Sequence, residues 1–178
     1  MSTMIIFGID PGTATTGFGV VKVNKFHKKG EKLNGHYEAG KFGLIETEKV
    51  HAPGERLHFI HEELVYKLKK EKPDIVAIEK VFFSTNRKTA MRIGQAIGVM
   101  LMAASVAKIE VVEYAPGTIK KMVAGDGRAD KKEVQQSLRD VLGAKVRSRP
   151  MKKTHFDNAA DALAVALCHA FTINENTD

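Results

Sequence analysis

Apolar and polar positions fall in blocks that read as a sheet interleaved with helices. Met4 to Ile9 is nearly all apolar, the mark of a central strand buried on both faces. It ends in Asp10. Pro11-Gly12 then turns the chain into a second strand through Phe18, Val20, Val21 and Val23, with Gly17 and Gly19 flanking Phe18. A Gly- and Lys-rich turn over 27–35 leads to a third strand expected over 35–45, and 47–53 reads as a loop. Between 54 and 72, Leu57, Ile60, Leu64 and Leu68 recur at three- and four-residue steps, the apolar stripe of a helix. Lysines crowd its last turn, where the helix dipole favours them, and Pro73 stops it. Asp74 to Glu79 (DIVAIE) is a short buried strand whose alternation sets Ile75, Ala77 and Glu79 on one face.

After a loop over 81–88 the chain is helical from 89 to 106 and apolar almost all round, with small residues at Ala90, Gly94, Gly98, Ala103 and Ala104. Such a helix needs cover on more than one side. The sheet covers one, and a second copy of the chain is the natural candidate for the other. A strand over 110–114 follows, then a short helix over 118–124, broken by Gly125-Asp126-Gly127. An amphipathic helix over 131–142 points Val134, Leu138, Val141 and Leu142 inward. A basic loop over 144–154 leads to an alanine-rich helix over 157–171. The expected architecture is α/β, a mixed central sheet flanked by helices, in one domain over 1–172 with a frayed polar tail over 173–178.

Composition narrows the class. A chain of 178 residues with 43% apolar content can bury a real core. It has no uncharged run of 18 residues that would span a membrane, and its first residues do not have the pattern of a signal peptide. One cysteine, Cys168, cannot pair internally, which points to a reducing compartment, most simply the cytoplasm. Lys and Arg outnumber Asp and Glu by 28 to 21, and the net charge of +7 favours a polyanion partner, nucleic acid first.

Against that basic background, three acids stand beside apolar sequence. Asp10 closes the first strand, where an Asp-Pro-Gly turn is one sufficient reason for an acid and a site at a strand end is another. Glu79 follows two apolar residues on one face of a buried strand, which is costly unless the carboxylate is paired or metal-bound. Asp157 and Asp161 are four apart on the last helix; a helix cap explains Asp157, but Asp161 sits among small apolar residues. Together such acids suit hard divalent cations, Mg²⁺ with phosphate substrates, and cations would let an acidic site accept a polyanion. The DNA-facing candidates are Phe82, Phe83, Asn86, Arg87, Lys88, Lys121, Arg128, and the basic residues Lys120, Lys131, Lys132 and the 145–153 loop. One phenylalanine of the pair is expected inward and one outward.

Four stretches, GIDPGTATTGFGVV (8–21), VAIEKVFFSTNRKTAMRIGQAIG (76–98), EYAPGTIKKMVAGDGRADKKEV (113–134) and DNAADALAVALCHA (157–170), resemble the RuvC family of bacterial Holliday-junction resolvases, in family order and over most of the chain. The resemblance implies a ribonuclease-H-like fold, a homodimer, and Mg²⁺-dependent nicking of two opposed strands of a four-way DNA junction. It implies two ions per site, with Mn²⁺ an acceptable substitute, and a RuvA–RuvB branch-migration complex as partner. It places the metal-holding acids on Asp10, Glu79 and Asp161, the basic pair of the site on Lys120 and Lys131, and the junction-opening aromatic on Phe82, with Phe83 beside it. The fourth acidic position of the family falls on Asn158, which offers a carbonyl oxygen but no charge. Either Asp157 takes over as a substitute ligand, or Asn158 impairs cleavage while the fold and junction binding remain; we favour the second. Two other readings stand beside this one. The chain could be a cleavage-inactive junction-binding module, or, on its Asp-x-Gly-Thr loop, one lobe of an actin-like ATPase or sugar kinase.

Overall fold

The computed structural model describes residues 3–25, 31, 33, 35–81, 87–143, 146 and 153–175, without the side chains of 87 and 153–156. Five strands, β1 (Met4–Asp10), β2 (Thr15–Val23), β3 (Tyr37–Glu46), β4 (Ile75–Glu79) and β5 (Glu110–Tyr114), form one sheet in the order β3-β2-β1-β4-β5. β1 pairs antiparallel with β2 and parallel with β4; β2 pairs antiparallel with β3, and β4 parallel with β5. The expected mixed sheet therefore forms, with the apolar β1 at its centre. Helices α1 (Pro53–Glu71), α2 (Arg87–Val106), α3 (Pro116–Ala124), α4 (Lys131–Leu142) and α5 (Lys153–Glu175) cover it.

Strand periodicity divides the core in two. Ile6, Val21, Ile75 and Ala77 point to one face, where they meet α5, α3 and α4 through Leu163, Leu167, Ile119 and Leu138. Phe7, Ile9, Val76 and Ile78 point to the other, against α1 and α2 through Ile60, Leu64 and Met100. Fully buried leucines such as Leu64 and Leu163 each contribute about 1.5–3 kcal/mol. Cys168 is buried in the first core, and burial pushes its thiol pKa up to about 12, leaving it inert.

Several element ends differ from the sequence reading. α3 starts at Pro116, because proline is tolerated in a first helical turn, where its missing N–H would have no helical partner anyway. α5 starts at Lys153, so Asp157 lies in its second turn and is not its cap. α5 also runs on through Glu175, with Asn174 buried, past the expected start of the polar tail. α2 is the most exposed of the apolar helices: Ala96, Met100, Ala103 and Ala104 are buried, while Met91 (68% exposed), Met102, Leu101 and Val106 face outward. By length and composition alone its segment 88–106 is apolar enough to cross a bilayer; the inner face of the helix is nonetheless seated on the core around β4 and α1.

Candidate active site

The pairing of β1 with β4 runs Gly8 to Ala77 and Ile9 to Ile78, so the next residues, Asp10 and Glu79, lie side by side at the strand ends. Both point to the α5 face, following Gly8 and Ala77 by the two-residue period. α5 can lie close because the sheet under it has no side chains at three points. A Cβ on Gly8 would strike the backbone of Ala162 and Ala166, one on Gly17 the backbone of Asn158, and one on Gly19 the side chain and backbone nitrogen of Leu163. Gly17 is the register partner of Asp10, which puts Asn158 next to that acid. One turn further along α5, Asp161 reaches the same place.

Lys131 enters from α4. The helix begins with a reciprocal cap: the Asp130 carboxylate accepts from the backbone N–H of Lys132 (2.7 Å) and Glu133 (2.9 Å), and Glu133 Oε2 accepts from the Asp130 N–H at 2.6 Å. That cap fixes Lys131 as the first helical residue, and its ammonium donates to Asp161 Oδ2 at 2.8 Å. Lys120, from α3, lines the same cleft of ≈ 280 Å³ together with Glu79, Lys131 and Asp161.

The electrostatics show how close the acids are. Burial, and then the charges of Glu79 and Asp161, push the Asp10 carboxyl up to about 7, and Lys131 pulls against this. Glu79 is raised by burial and by Asp161; a hydrogen bond with Asp10 and the charges of Lys120 and Lys131 lower it. Asp161 is raised by burial, lowered by its hydrogen bond to Lys131, and raised again by Asp157. Asp10 and Glu79 thus oppose each other's ionisation, and burial in the cleft favours the protonated form of each. Among the described residues, no three acids, histidines or cysteines already surround one point closely enough to hold an ion; Asp161 is engaged by Lys131 instead. The donor set is nonetheless that of a hard cation: three carboxylates from three elements, repelling one another in a half-buried cleft.

A pH dependence follows. In the unfolded chain Asp10 ionises near 3.8; in the fold it holds its proton to about 7. A raised carboxyl pKa stabilises the fold most below the unfolded value and loses that contribution as pH rises through the folded value. Melts of the metal-free protein in chelator should therefore show this contribution disappearing between about pH 4 and pH 7. Asp10→Asn should flatten the profile across that window.

The structure brings Asp10, Glu79, Asn158, Asp161, Lys120 and Lys131 to one end of the sheet. Asp157 is placed differently: its Oδ1 accepts from Gln135 Nε2 on α4 at 2.8 Å. Lys121 lies apart, in a groove with Phe171 and Glu175, and Lys88 and Arg128 are exposed on the surface. Phe82, Phe83, Asn86, the Arg87 side chain and the 144–145 and 147–152 parts of the basic loop lie outside the described residues. Gln135 escaped the sequence reading, since a glutamine on an amphipathic helix carries no signal by itself. A larger groove of ≈ 390 Å³ at the start of α1, lined by Glu46, Glu48, His51, Glu55, His58 and Glu62 among others, contains none of the site residues.

The sequence model of the family described as Crossover junction endodeoxyribonuclease RuvC matches residues 6–169. A relative from Desulfitobacterium hafniense (strain DSM 10664 / DCB-2), named Crossover junction endodeoxyribonuclease RuvC, is 40% identical over 171 residues, 96% of this chain and 94% of the relative. One of the same name from Syntrophomonas wolfei is 42% identical over 166 residues, 93% of this chain and 88% of the relative. Thermus thermophilus RuvC, solved in complex with a Holliday junction substrate, matches with a TM-score of 0.82 at 34% identity, covering 98% of this chain and 97% of that one.

Proposed function

The chain belongs to the RuvC family of crossover junction endodeoxyribonucleases, with its ribonuclease-H-like fold, and from that premise we propose that its cleft nicks two opposed strands of a four-way DNA junction with Mg²⁺. Membership disfavours the actin-like ATPase reading. The observation that carries the proposal is the convergence of Asp10, Glu79 and Asp161, from β1, β4 and α5, beside Lys120 and Lys131. The three carboxylates, with the Asn158 carbonyl, would hold the cations, two per site, with Mn²⁺ able to replace Mg²⁺. Such ions supply Lewis-acid stabilisation of the phosphodiester and activation of water for its hydrolysis. Lys131 and Lys120 bring fixed positive charge to the same cleft. A phosphate entering it can take over the Lys131 ammonium now held by Asp161, releasing that carboxylate.

Asn158 gives the site one charge fewer than the family pattern. The Asp157 carboxylate accepts from Gln135 on α4, which supports reading it as tied to that helix and not as a substitute ligand. This favours the reading in which junction binding outlasts cleavage. With a synthetic four-way junction and Mg²⁺, Asn158→Asp should nick at least about tenfold faster than the parent chain. Equal and vigorous nicking by both would contradict an impairment at Asn158.

We assign the outward face of α2 to a second copy of the chain. Met91, Leu101 and Met102 are exposed there, and Gly94 and Gly98 are open, with nothing within 4 Å of an added Cβ. A two-fold dimer would set one cleft on each of two opposed strands of a near two-fold junction. Gly98→Leu should yield a monomer by light scattering and weaken junction binding. Monomer formation with binding at wild-type strength would exclude either this interface or the need for a dimer. The buried, unpaired Cys168 is in keeping with a bacterial cytoplasm.

A further inference from the structure

The turn that follows Asp10 is held from outside the cleft. Thr47, just past β3, and Arg56, in the first turn of α1, form a closed set of hydrogen bonds on it. The Thr47 hydroxyl donates to the Thr13 carbonyl oxygen at 2.6 Å. Arg56 Nη2 donates to the same oxygen at 2.8 Å, and Arg56 Nε donates to Thr47 Oγ1 at 2.8 Å. The Thr47 N–H donates to the Ala14 carbonyl at 2.9 Å. Inside the turn, Thr16 Oγ1 donates to the Gly12 carbonyl at 2.6 Å. The hydroxyl of Thr47 thus uses its single proton on Thr13 and a lone pair on Arg56, and the guanidinium fork sets one N–H on each oxygen in a rigid plane that a lysine ammonium does not preset.

We infer that Arg56 and Thr47 are positioning residues for Asp10, clamping the 11–14 turn to α1 so that the carboxylate keeps its place beside Glu79. The inference rests on the metal-dependent nuclease reading of the cleft. Asp10 is the last residue of β1, three residues before Thr13, so the placement of the 11–14 turn sets where its carboxylate stands beside Glu79. On the far side, Arg56 commits its guanidinium to a backbone carbonyl and a hydroxyl, an arrangement that fixes a loop. Ligand placement depends on such outer hydrogen bonds: their loss typically costs about 10–100-fold in metal affinity or activity.

The test compares Thr47→Val, which keeps the volume and removes the hydroxyl, with Thr47→Ser, which keeps the hydroxyl, and with Arg56→Lys. Mn²⁺ binding is followed by calorimetry, single-turnover junction nicking is measured in the faster of the parent and Asn158→Asp backgrounds, and junction affinity is measured in chelator. Thr47→Val and Arg56→Lys should each weaken Mn²⁺ binding and slow nicking about tenfold, with junction affinity unchanged within about twofold. Thr47→Ser should restore both. The double variant Thr47→Val/Arg56→Lys should be little worse than either alone, because the residues act through one contact. Mn²⁺ binding and nicking by Thr47→Val at the parent's level would overturn the inference, and so would a Thr47→Ser as impaired as Thr47→Val. A parent chain that neither binds Mn²⁺ nor nicks in either background would instead overturn the nuclease reading on which it rests.

Discussion

Asp10→Asn should abolish junction nicking, lowering the single-turnover rate by at least about 10³-fold, a loss of the size seen when a group that stabilises transition-state charge is removed. The substitution changes one oxygen to an amide nitrogen and leaves the shape unaltered, so binding of the junction in chelator should stay within about twofold of the parent. It should also raise the melting temperature of the metal-free protein above pH 7, because the desolvated carboxyl and its repulsion by Glu79 and Asp161 are gone. A residue conserved in shape but lost in charge would thus stabilise the fold and remove the activity. Nicking assays under single-turnover conditions, run beside gel-shift titrations and melts, check all three.

The second large effect lies under α5. Gly8→Val should cost about 3–5 kcal/mol and lower the melting temperature by about 10 °C or more, or leave the protein insoluble. The reason is specific. An added Cβ would sit 2.8 Å from the Ala166 backbone nitrogen and closer still to the Ala162 carbonyl, and neither atom can retreat unless the whole helix lifts. Lifting α5 would carry Asn158 and Asp161 away from Asp10, so any folded fraction should also nick slowly. Gly54→Ala is the control: nothing stands within 4 Å of a Cβ there, and the site lies in the first turn of α1. Its stability should change by less than about 1 kcal/mol. Thermal melts of the two variants separate a steric need for glycine at position 8 from a general sensitivity to losing one.

How much of this was legible depends on the range of the interaction. β1, β4 and β5 and helix α4 follow from local periodicity, and their positions differ from the expectation by a residue at most. The shared face of Asp10 and Glu79 was half visible, since alternation placed Glu79 with Ala77; the pairing of β1 with β4 was needed to set the two acids side by side. Gly17 and Gly19 could be seen flanking Phe18. That they and Gly8 form the floor for an alanine-rich helix depends on a contact between segments more than 140 residues apart, which no local pattern encodes. The start of α5 was misjudged because an Asp before an apolar run is a good cap signal, and here the chain is already helical when it reaches Asp157. Gln135 and Arg56 were unreadable for a related reason: each is an ordinary polar residue on a helix, and its role lies in the partner it reaches.

The central claim is that Asp10, Glu79 and Asp161 are three walls of one metal site. Crystals soaked in Mn²⁺ and measured for anomalous scattering test it most directly. Anomalous peaks should appear in the cleft between the ends of β1 and β4 and helix α5, and be lost in Asp10→Asn. Peaks absent from that cleft, or found instead in the glutamate- and histidine-lined groove at the start of α1, would contradict it.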